Sequence, residues 1–153
     1  MNPEVRLKNM GMSLPRPASP VGSYLPCVQV GDLLFVSGQL PMCDGRLIAR
    51  GKVGADVTIE QAQEAARQAI LNALAQVAGM IDSLEHVVRV VRVGVFVNSA
   101  PRFTDQAKVA NGASDLLVGV FGDAGRHARA AVGVNELPLD SAVEVELIVQ
   151  VRR

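Results

Sequence analysis

Three charged side chains near the end of the sequence could do chemistry together: Arg129, Glu144 and Glu146. The stretch from Ala128 to Val134 predicts a strand, and alternate residues of a strand point to opposite faces. Arg129 then shares its face only with an alanine and a glycine, which are too small to shield it. A second strand, from Ala142 to Val151, places both glutamates on one face. A guanidinium is a rigid fork of donors that matches a carboxylate or a phosphate, so we expect a ligand site here, with the two glutamates nearby on an adjacent strand.

Each of these residues also has an ordinary interpretation. Arg is mostly solvent-exposed in proteins, so Arg129 could be a surface charge. Glu144 could be a surface residue or the ion-pair partner of Arg129, although exposed pairs stabilise little. In the functional interpretation, Glu144 positions or deprotonates a water, and Glu146 competes for the same role. We treat His127 as a strand neighbour of Arg129 that points to the opposite side, and leave it out of the site.

Composition narrows the function classes. The 153 residues carry no net charge and few aromatics, which disfavours nucleic-acid binding through phosphate contacts or base stacking. Cys27 and Cys43 form no zinc-ligand pattern, and no phosphate-binding glycine motif follows a strand, so we expect no metal and no cofactor. There is no apolar run of the length of a signal peptide or of a membrane span, and the expected location is the cytoplasm.

The first half of the chain predicts an arm, a hairpin and a helix. Residues 3–10 predict a short helix, and the three prolines in residues 13–20 predict an extended linker. Two apolar runs, residues 24–30 and 33–39, flank Gly31-Asp32 and predict a β-hairpin. Thr58 and Gln61 match a capping box at the start of a long helix, for which Gly79 is the expected C-cap.

The second half predicts a buried strand and a second helix. Residues 87–97 are nearly all β-branched, which favours a strand buried on both faces. Asn98 or Ser99 would cap the next helix, with Pro101 in its first turn and Gly122 at its end. A glycine inside a helix costs roughly 1 kcal/mol, so something must require a small residue at Gly112. Two helices cover one face of such a sheet, and we expect another copy of the chain to cover the other.

Several short stretches also form a pattern through their order and spacing. They are Gly22-Ser-Tyr24, Phe35-Val-Ser37-Gly-Gln-Leu-Pro41, Val95-Phe-Val97, Ala128-Arg129, Glu136-Leu-Pro138, Val143-Glu144-Val-Glu146 and Val151-Arg-Arg153. Together they resemble the Rid family, the reactive intermediate deaminases, also called YjgF-like or endoribonuclease L-PSP-like. The resemblance runs from about Tyr24 to the end. The longer N-terminal arm and the stretch from Asn111 to Leu117 indicate a branch apart from the enamine/imine-deaminating archetype.

The resemblance implies an α+β, chorismate-mutase-like fold: a mixed β-sheet with two helices packed on one face, assembled as a homotrimer with clefts between subunits. It divides the chain into an arm, residues 1–20, and a YjgF/Rid-like domain, residues 21–153. By correspondence with the archetype, Arg129 holds the substrate carboxylate and Glu144 handles the water. The same correspondence assigns four further residues to substrate binding, namely Tyr24, Ser37, Gly38 and Asn111. Ala131 stands where the archetype often has a cysteine.

The function implied is a cofactor-free deaminase that hydrolyses reactive enamine or imine intermediates of amino-acid metabolism to 2-oxo acids and ammonia. Two alternatives stay open. One is a non-catalytic trimer that binds a small carboxylate in an arginine-lined cleft. The other is an endoribonuclease or RNA-binding protein, which zero net charge and scarce aromatics disfavour. For Tyr24 the ordinary interpretation is packing across a linker. For Ser37-Gly38 it is a strand end whose glycine allows an unusual backbone conformation. A nucleophilic Ser37 is disfavoured, because no His or Lys base is identifiable beside it.

Overall fold

The computed structural model describes residues 2–20 and 22–153, so Val21, the first residue of the predicted domain, lies outside the described residues. In chain order the helices and strands are α1 Pro3–Asn9, β1 Cys27–Val30, β2 Leu33–Gln39, β3 Met42–Cys43, β4 Arg46–Leu47, α2 Ile59–Ile81, β5 Val87–Asn98, α3 Gln106–Phe121, β6 Ala128–Val134 and β7 Val143–Val151. Short 3-10 turns lie at Leu84–His86, Gly122–Gly125 and Pro138–Asp140. No helix among the described residues is both long and apolar enough to cross a membrane.

Five strands form one mixed sheet in the order β1-β2-β7-β5-β6. The β5–β6 pair is parallel, and the other pairs are antiparallel. Strands β3 and β4 form a separate two-stranded hairpin around Asp44-Gly45. This order corrects one expectation from the sequence: β6 and β7 are not adjacent, because β5 lies between them. Strand β6 is therefore an edge of the sheet.

One face of the sheet is buried under α2 and α3. The alternation predicted for β7 is present, since all five of its inward residues are buried: Val143, Val145, Leu147, Val149 and Val151. The opposite face, called the open face below, keeps Phe35, Val88 and Val132 41–45% exposed. A single chain therefore covers only one face of residues 87–97, as expected from the sequence, and the covering of the other face by a second copy stays a prediction.

Helix α2 begins as the sequence predicts. The Thr58 hydroxyl accepts from the Gln61 amide at 3.1 Å, and the Gln61 side chain accepts from the Thr58 amide at 2.9 Å. Small alanines along the buried side bring the helix close to its neighbours. Gly79 is not the C-cap, however, because the helix continues to Ile81 and ends at Asp82 in the left-handed conformation, with φ 69°.

Helix α3 begins later than predicted. Its N-cap is Asp105, so Pro101 lies before the helix rather than in its first turn. The reason is a tight contact outside the helix: the ring of Phe103 packs so closely on Gly54 that a Cβ there would lie 2.8 Å from it. The predicted end at Gly122, with φ 63°, is correct.

The N-terminal arm packs along the helices. Glu4 Oε1 accepts from the Ser83 hydroxyl at 3.0 Å and from the Leu84 amide at 2.7 Å. Leu7 is 1% exposed and joins the core. Further along, the Gln76 side chain donates to the Ala18 carbonyl at 2.7 Å. The predicted short helix is therefore present, and α1 owes its order to tertiary contacts, since seven residues alone cannot hold a helix in water.

Candidate active site

Arg129 stands on the helix-covered side of the edge strand β6, opposite Val93 of β5. Its Nη1 donates to Asn111 Oδ1 at 2.8 Å and to Ser114 Oγ at 3.1 Å, both on α3. The structure thus brings together two predicted site residues, Arg129 and Asn111. It adds Ser114, which follows Asn111 by three residues and therefore lies on the same side of the helix. The contact depends on the alternation of side chains along β6, on the helical period of α3 and on the parallel pairing of β5 with β6.

The guanidinium of Arg129 is exposed, and its hydrogen bonds to the described residues are made through Nη1. Among the described residues, neither Nε nor Nη2 of Arg129 makes a hydrogen bond. Anchoring through Nη1 fixes the plane of the fork while its remaining donors face outward. A planar fork held in this way is suited to a bidentate contact with a carboxylate.

His127 also belongs to this group of residues. Its Nε2 lies 2.9 Å from Ser114 Oγ, and its Nδ1 lies 2.6 Å from the Gly125 carbonyl oxygen. The prediction that His127 points away from Arg129 is wrong, because Ala128 stands between them and residues two apart share one side of a strand. That spacing was available in the sequence. Ser114 could have been predicted from its helical spacing to Asn111, once Asn111 was expected beside Arg129.

Glu144 lies on the open face of β7, opposite Phe96 of β5. It sits beside Gly38 so closely that a Cβ there would lie 2.5 Å from Glu144 Oε1. Gly38 therefore makes room for this carboxyl. Glu144 is partly buried, and this burial raises the pKa of its carboxyl, with a further increase from the charge of Glu146. A carboxyl shifted in this direction holds its proton at higher pH and is a better base when ionised.

Glu146 has a different environment. Its Oε1 lies 3.1 Å from Nη1 of Arg92, and both side chains are about 40% exposed. The ordinary alternative for Glu144, an ion pair with Arg129, is therefore wrong within one chain, because the ion pair on this strand joins Arg92 to Glu146. Because an arginine occupies Glu146, Glu144 is the carboxyl with more freedom to handle a proton.

Two other predicted site residues, Tyr24 and Ser37, line separate cavities. Tyr24 is 51% exposed and, with Gly38 and Gln76, lines a cavity of about 140 Å³ that is walled on one side by the arm. Ser37 lines a separate cavity of about 260 Å³ on the open face. The Ser37 hydroxyl donates to the Leu25 carbonyl at 2.6 Å, which ties the strand end to the preceding loop.

The site residues thus form two groups on opposite faces of the sheet. The arginine half-site consists of Arg129, Asn111, Ser114 and His127. The carboxylate half-site consists of Glu144 and Gly38, while Tyr24 lines a cavity that it shares with Gly38 and with Gln76 of α2. A single chain does not bring Arg129 and Glu144 together, because their side chains leave the sheet in opposite directions and β5 separates their strands. Within the described residues, no three His, Cys, Asp or Glu side chains are grouped so as to hold a metal ion.

Comparison with known proteins gives one consistent result. Residues 4–151 match the family model described as "YjgF/chorismate mutase-like, putative endoribonuclease". Protein TCP17 of Trypanosoma cruzi is 47% identical over 145 residues, covering 94% of this chain and 91% of its own. A crystal structure of an Agrobacterium tumefaciens protein of unknown function superimposes with a TM-score of 0.90 at 44% identity, covering 97% of this chain and 91% of that one. A 2-iminobutanoate/2-iminopropanoate deaminase of Dermatophagoides farinae is 29% identical over 138 residues, covering 90% and 93%.

Proposed function

This chain belongs to the YjgF/chorismate mutase-like family, and we propose that it is a cofactor-free deaminase that hydrolyses 2-imino acids to 2-oxo acids and ammonia. The observation that carries the proposal is the exposed guanidinium of Arg129, anchored by Asn111 and Ser114 through one nitrogen. The donors on Nε and Nη2, which bond to none of the described residues, can hold a substrate carboxylate. A relative at 29% identity that bears the name of such a deaminase supports the substrate class.

The reaction requires that the substrate carboxylate is held in place and that a group accepts a proton from the attacking water. With its carboxylate on Arg129, a protonated 2-imino acid presents its C2 carbon to water. The water oxygen bonds to C2, the C=N π electrons move to nitrogen, and the water gives up one proton to the Glu144 carboxylate. That proton then passes to the amine nitrogen, the C–N bond breaks with its electron pair leaving on ammonia, and the C2 hydroxyl gives its proton to Glu144 as the C=O bond of the 2-oxo acid forms. Glu144 passes this proton to the ammonia, which leaves as ammonium, and the carboxylate is regenerated. Positioning supplies much of the acceleration, because a protonated imine is already electrophilic.

The two half-sites can meet only between copies of the chain. The open face carries exposed apolar side chains, including Phe35 and Val132, that a second copy would cover. We therefore place the reaction in clefts between subunits of a homotrimer, with Arg129 and Asn111 from one subunit. Glu144 and Gly38 come from the next, together with Ser37 and Tyr24, which line two other cavities of that subunit.

The test is a coupled assay with complementation between subunits. A serine or threonine dehydratase generates the imino acid, and the appearance of the 2-oxo acid is followed. The parent should accelerate it without added metal or nucleotide, while Arg129→Ala and Glu144→Gln should each remove most of the increment. Co-expressed Arg129→Ala and Glu144→Gln chains should recover part of it, because mixed trimers contain clefts with both native residues. Light scattering should give about three times the chain mass of 16.2 kDa.

Failure of this assay has distinct meanings. If the parent is active but the mixed trimers recover no activity, the proposed site between subunits is contradicted. An inactive parent that still binds 2-oxobutanoate through Arg129 would favour the alternative function, a non-catalytic carboxylate-binding trimer. The endoribonuclease alternative predicts salt-dependent RNA binding, which zero net charge disfavours.

A further inference from the structure

A continuous chain of hydrogen bonds runs through the arginine half-site. It passes from the Gly125 carbonyl to His127, then to Ser114, then to Arg129 and Asn111. Its first member is fixed firmly, because a Cβ on Gly125 would lie 2.2 Å from the Leu117 carbonyl oxygen, so the turn is pressed onto α3. The imidazole is thus oriented by the backbone rather than by a carboxylate.

Donor and acceptor roles in this chain follow from the chemistry of its members. A carbonyl only accepts, so His127 Nδ1 carries a hydrogen and donates to Gly125. A guanidinium only donates, so Ser114 Oγ accepts from Arg129. With neutral His127, Nε2 is bare and takes the Ser114 hydroxyl hydrogen. With protonated His127, Nε2–H donates to Ser114 Oγ instead, and the hydroxyl hydrogen is released to point elsewhere.

Protonation of His127 therefore changes the site in two ways. It adds a positive charge next to Arg129, and it turns the Ser114 hydroxyl into a donor that is free for a ligand. Both changes favour an anion over an empty site. Imidazole is the side chain whose charge ordinarily changes between about pH 5 and 8, so a proton taken up on ligand binding is to be sought in that range.

The charges around His127 also couple its protonation to the binding of an anion. The charged residues on the elements around His127 are Lys108 and Asp115 on α3, Asp123 and Arg126 in the preceding turn, Arg89 and Arg92 on β5, and Arg129 on β6. Lys108 pairs with Asp105, and Arg92 pairs with Glu146 on the open face. Asp123 and Arg126 pair with each other at 3.5 Å, and Arg89 donates to the Arg126 carbonyl at 2.9 Å. Two arginines thus remain against one aspartate. A bound carboxylate would offset this excess and make a second cation at His127 less costly.

We propose that Ser114 contacts the bound carboxylate and that His127 is a positioning residue acting through Ser114, so that ligand binding at Arg129 draws a proton onto His127. This inference rests on the carboxylate ligand of the proposed function. Because coupling of two binding events is reciprocal, proton uptake and tighter binding at lower pH are one effect seen from two sides.

The experiment is calorimetric titration of 2-oxobutanoate at pH 7 in two buffers with different ionisation enthalpies. Their difference in measured heat gives the protons taken up per carboxylate bound. The sequence contains only two histidines, and the second, His86, bonds through Nδ1 to the Ile81 carbonyl at the far end of α2, so it is a matched control. We expect fractional proton uptake in the parent and in His86→Gln, and none in His127→Gln. Affinity should increase about three- to tenfold from pH 8 to pH 6 in the first two proteins only.

Two measurements separate coupling from a general structural effect. Ser114→Ala should bind more weakly and take up no proton, and Ser114→Thr, which keeps the hydroxyl, should restore both properties. Nuclear magnetic resonance of the parent imidazoles, with and without 2-oxobutanoate, follows His127 directly even if a variant fails to fold. Binding without uptake, or a His127 titration unmoved by ligand, would overturn this inference alone. No carboxylate binding by the parent at all would overturn the proposed ligand class as well.

Discussion

Replacement of Gly112 by alanine tests how the fold positions the arginine half-site. Gly112 lies on α3 next to Asn111, where α3 crosses α2. A Cβ at this position would lie 2.2 Å from the backbone oxygen of Gln63 and 2.8 Å from its Cα and carbonyl carbon. Ordinary contact begins at 3.4 Å, so the two helices would have to separate by about 1 Å or α3 would have to rotate. The neighbour is backbone, which cannot turn aside.

The expected cost is the difference between two effects. Alanine gains roughly 1 kcal/mol over glycine in a helix interior. Overpacking a close contact typically costs about 1–3 kcal/mol, and this clash is at the severe end because both partners are helical backbone. We expect Gly112→Ala to lower the free energy of unfolding by about 1–2 kcal/mol. For a chain of this size that corresponds to a decrease of about 2–8 °C in Tm.

The same helix provides a matched control. A Cβ on Gly119 would lie 2.9 Å from Met10 Cε, the end of a flexible side chain that can move away. Gly119→Ala should therefore be neutral or stabilising by up to about 1 kcal/mol. Both variants would be unfolded in urea at one protein concentration, with the midpoint compared to the parent. Carboxylate affinity should decrease in Gly112→Ala alone, because a shift of α3 moves Asn111 and Ser114 away from Arg129.

Two results would refute this reasoning. If Gly112→Ala were as stable as Gly119→Ala, the helices would not approach as closely as described. If Gly112→Ala were destabilised but bound 2-oxobutanoate with the affinity of the parent, the orientation of Arg129 would not depend on α3. In that case the contacts at 2.8 and 3.1 Å would be incidental to binding.

The other predictions concern Glu144. Gly38→Ala should lower the deamination rate by about 10- to 100-fold, because the added Cβ displaces the Glu144 carboxyl. The affinity for 2-oxobutanoate, which depends on Arg129, should persist. An equal loss of affinity would contradict the division into two half-sites. A carboxyl whose pKa is raised on folding stabilises the protein fully below its unfolded pKa and loses that contribution as pH rises through its folded pKa. Glu144→Gln should therefore have a higher Tm than the parent at pH 7, with the difference vanishing near pH 4, and an equal difference at both pH values would show another cause.

Patterns within one element were readable from the sequence. The alternation of β7 follows from its period of two, and the capping box at Thr58 follows from two residues three apart. The need for a small residue at Gly112 was predicted as well, because a glycine that costs helix stability must be offset elsewhere. The partner that requires it, Gln63 on α2, could not be named, since the sequence does not give the crossing point of two helices.

Errors arose where distant segments compete. Consecutive strands β6 and β7 were expected side by side, but β5 takes the place between them, pairing parallel with one and antiparallel with the other. That choice depends on which faces the helices bury, a property of the whole sheet. The start of α3 was misplaced because Phe103 lies before the helix and packs on Gly54, a contact between distant segments that helical spacing does not predict. His127 was missed although its spacing from Arg129 was visible.

The separation of the two half-sites has a physical advantage for the proposed reaction. An arginine that pairs with a glutamate within one chain has its guanidinium occupied, as Arg92 has on the open face. Such a pair in general also favours the ionised carboxylate. Had Arg129 faced Glu144 in the same way, the carboxyl would be a weaker base and the fork would not be free for substrate. Opposite faces prevent this pairing within one chain. In the proposed cleft the substrate carboxylate offsets the charge of Arg129, so Glu144 keeps the raised pKa that proton transfer from water requires.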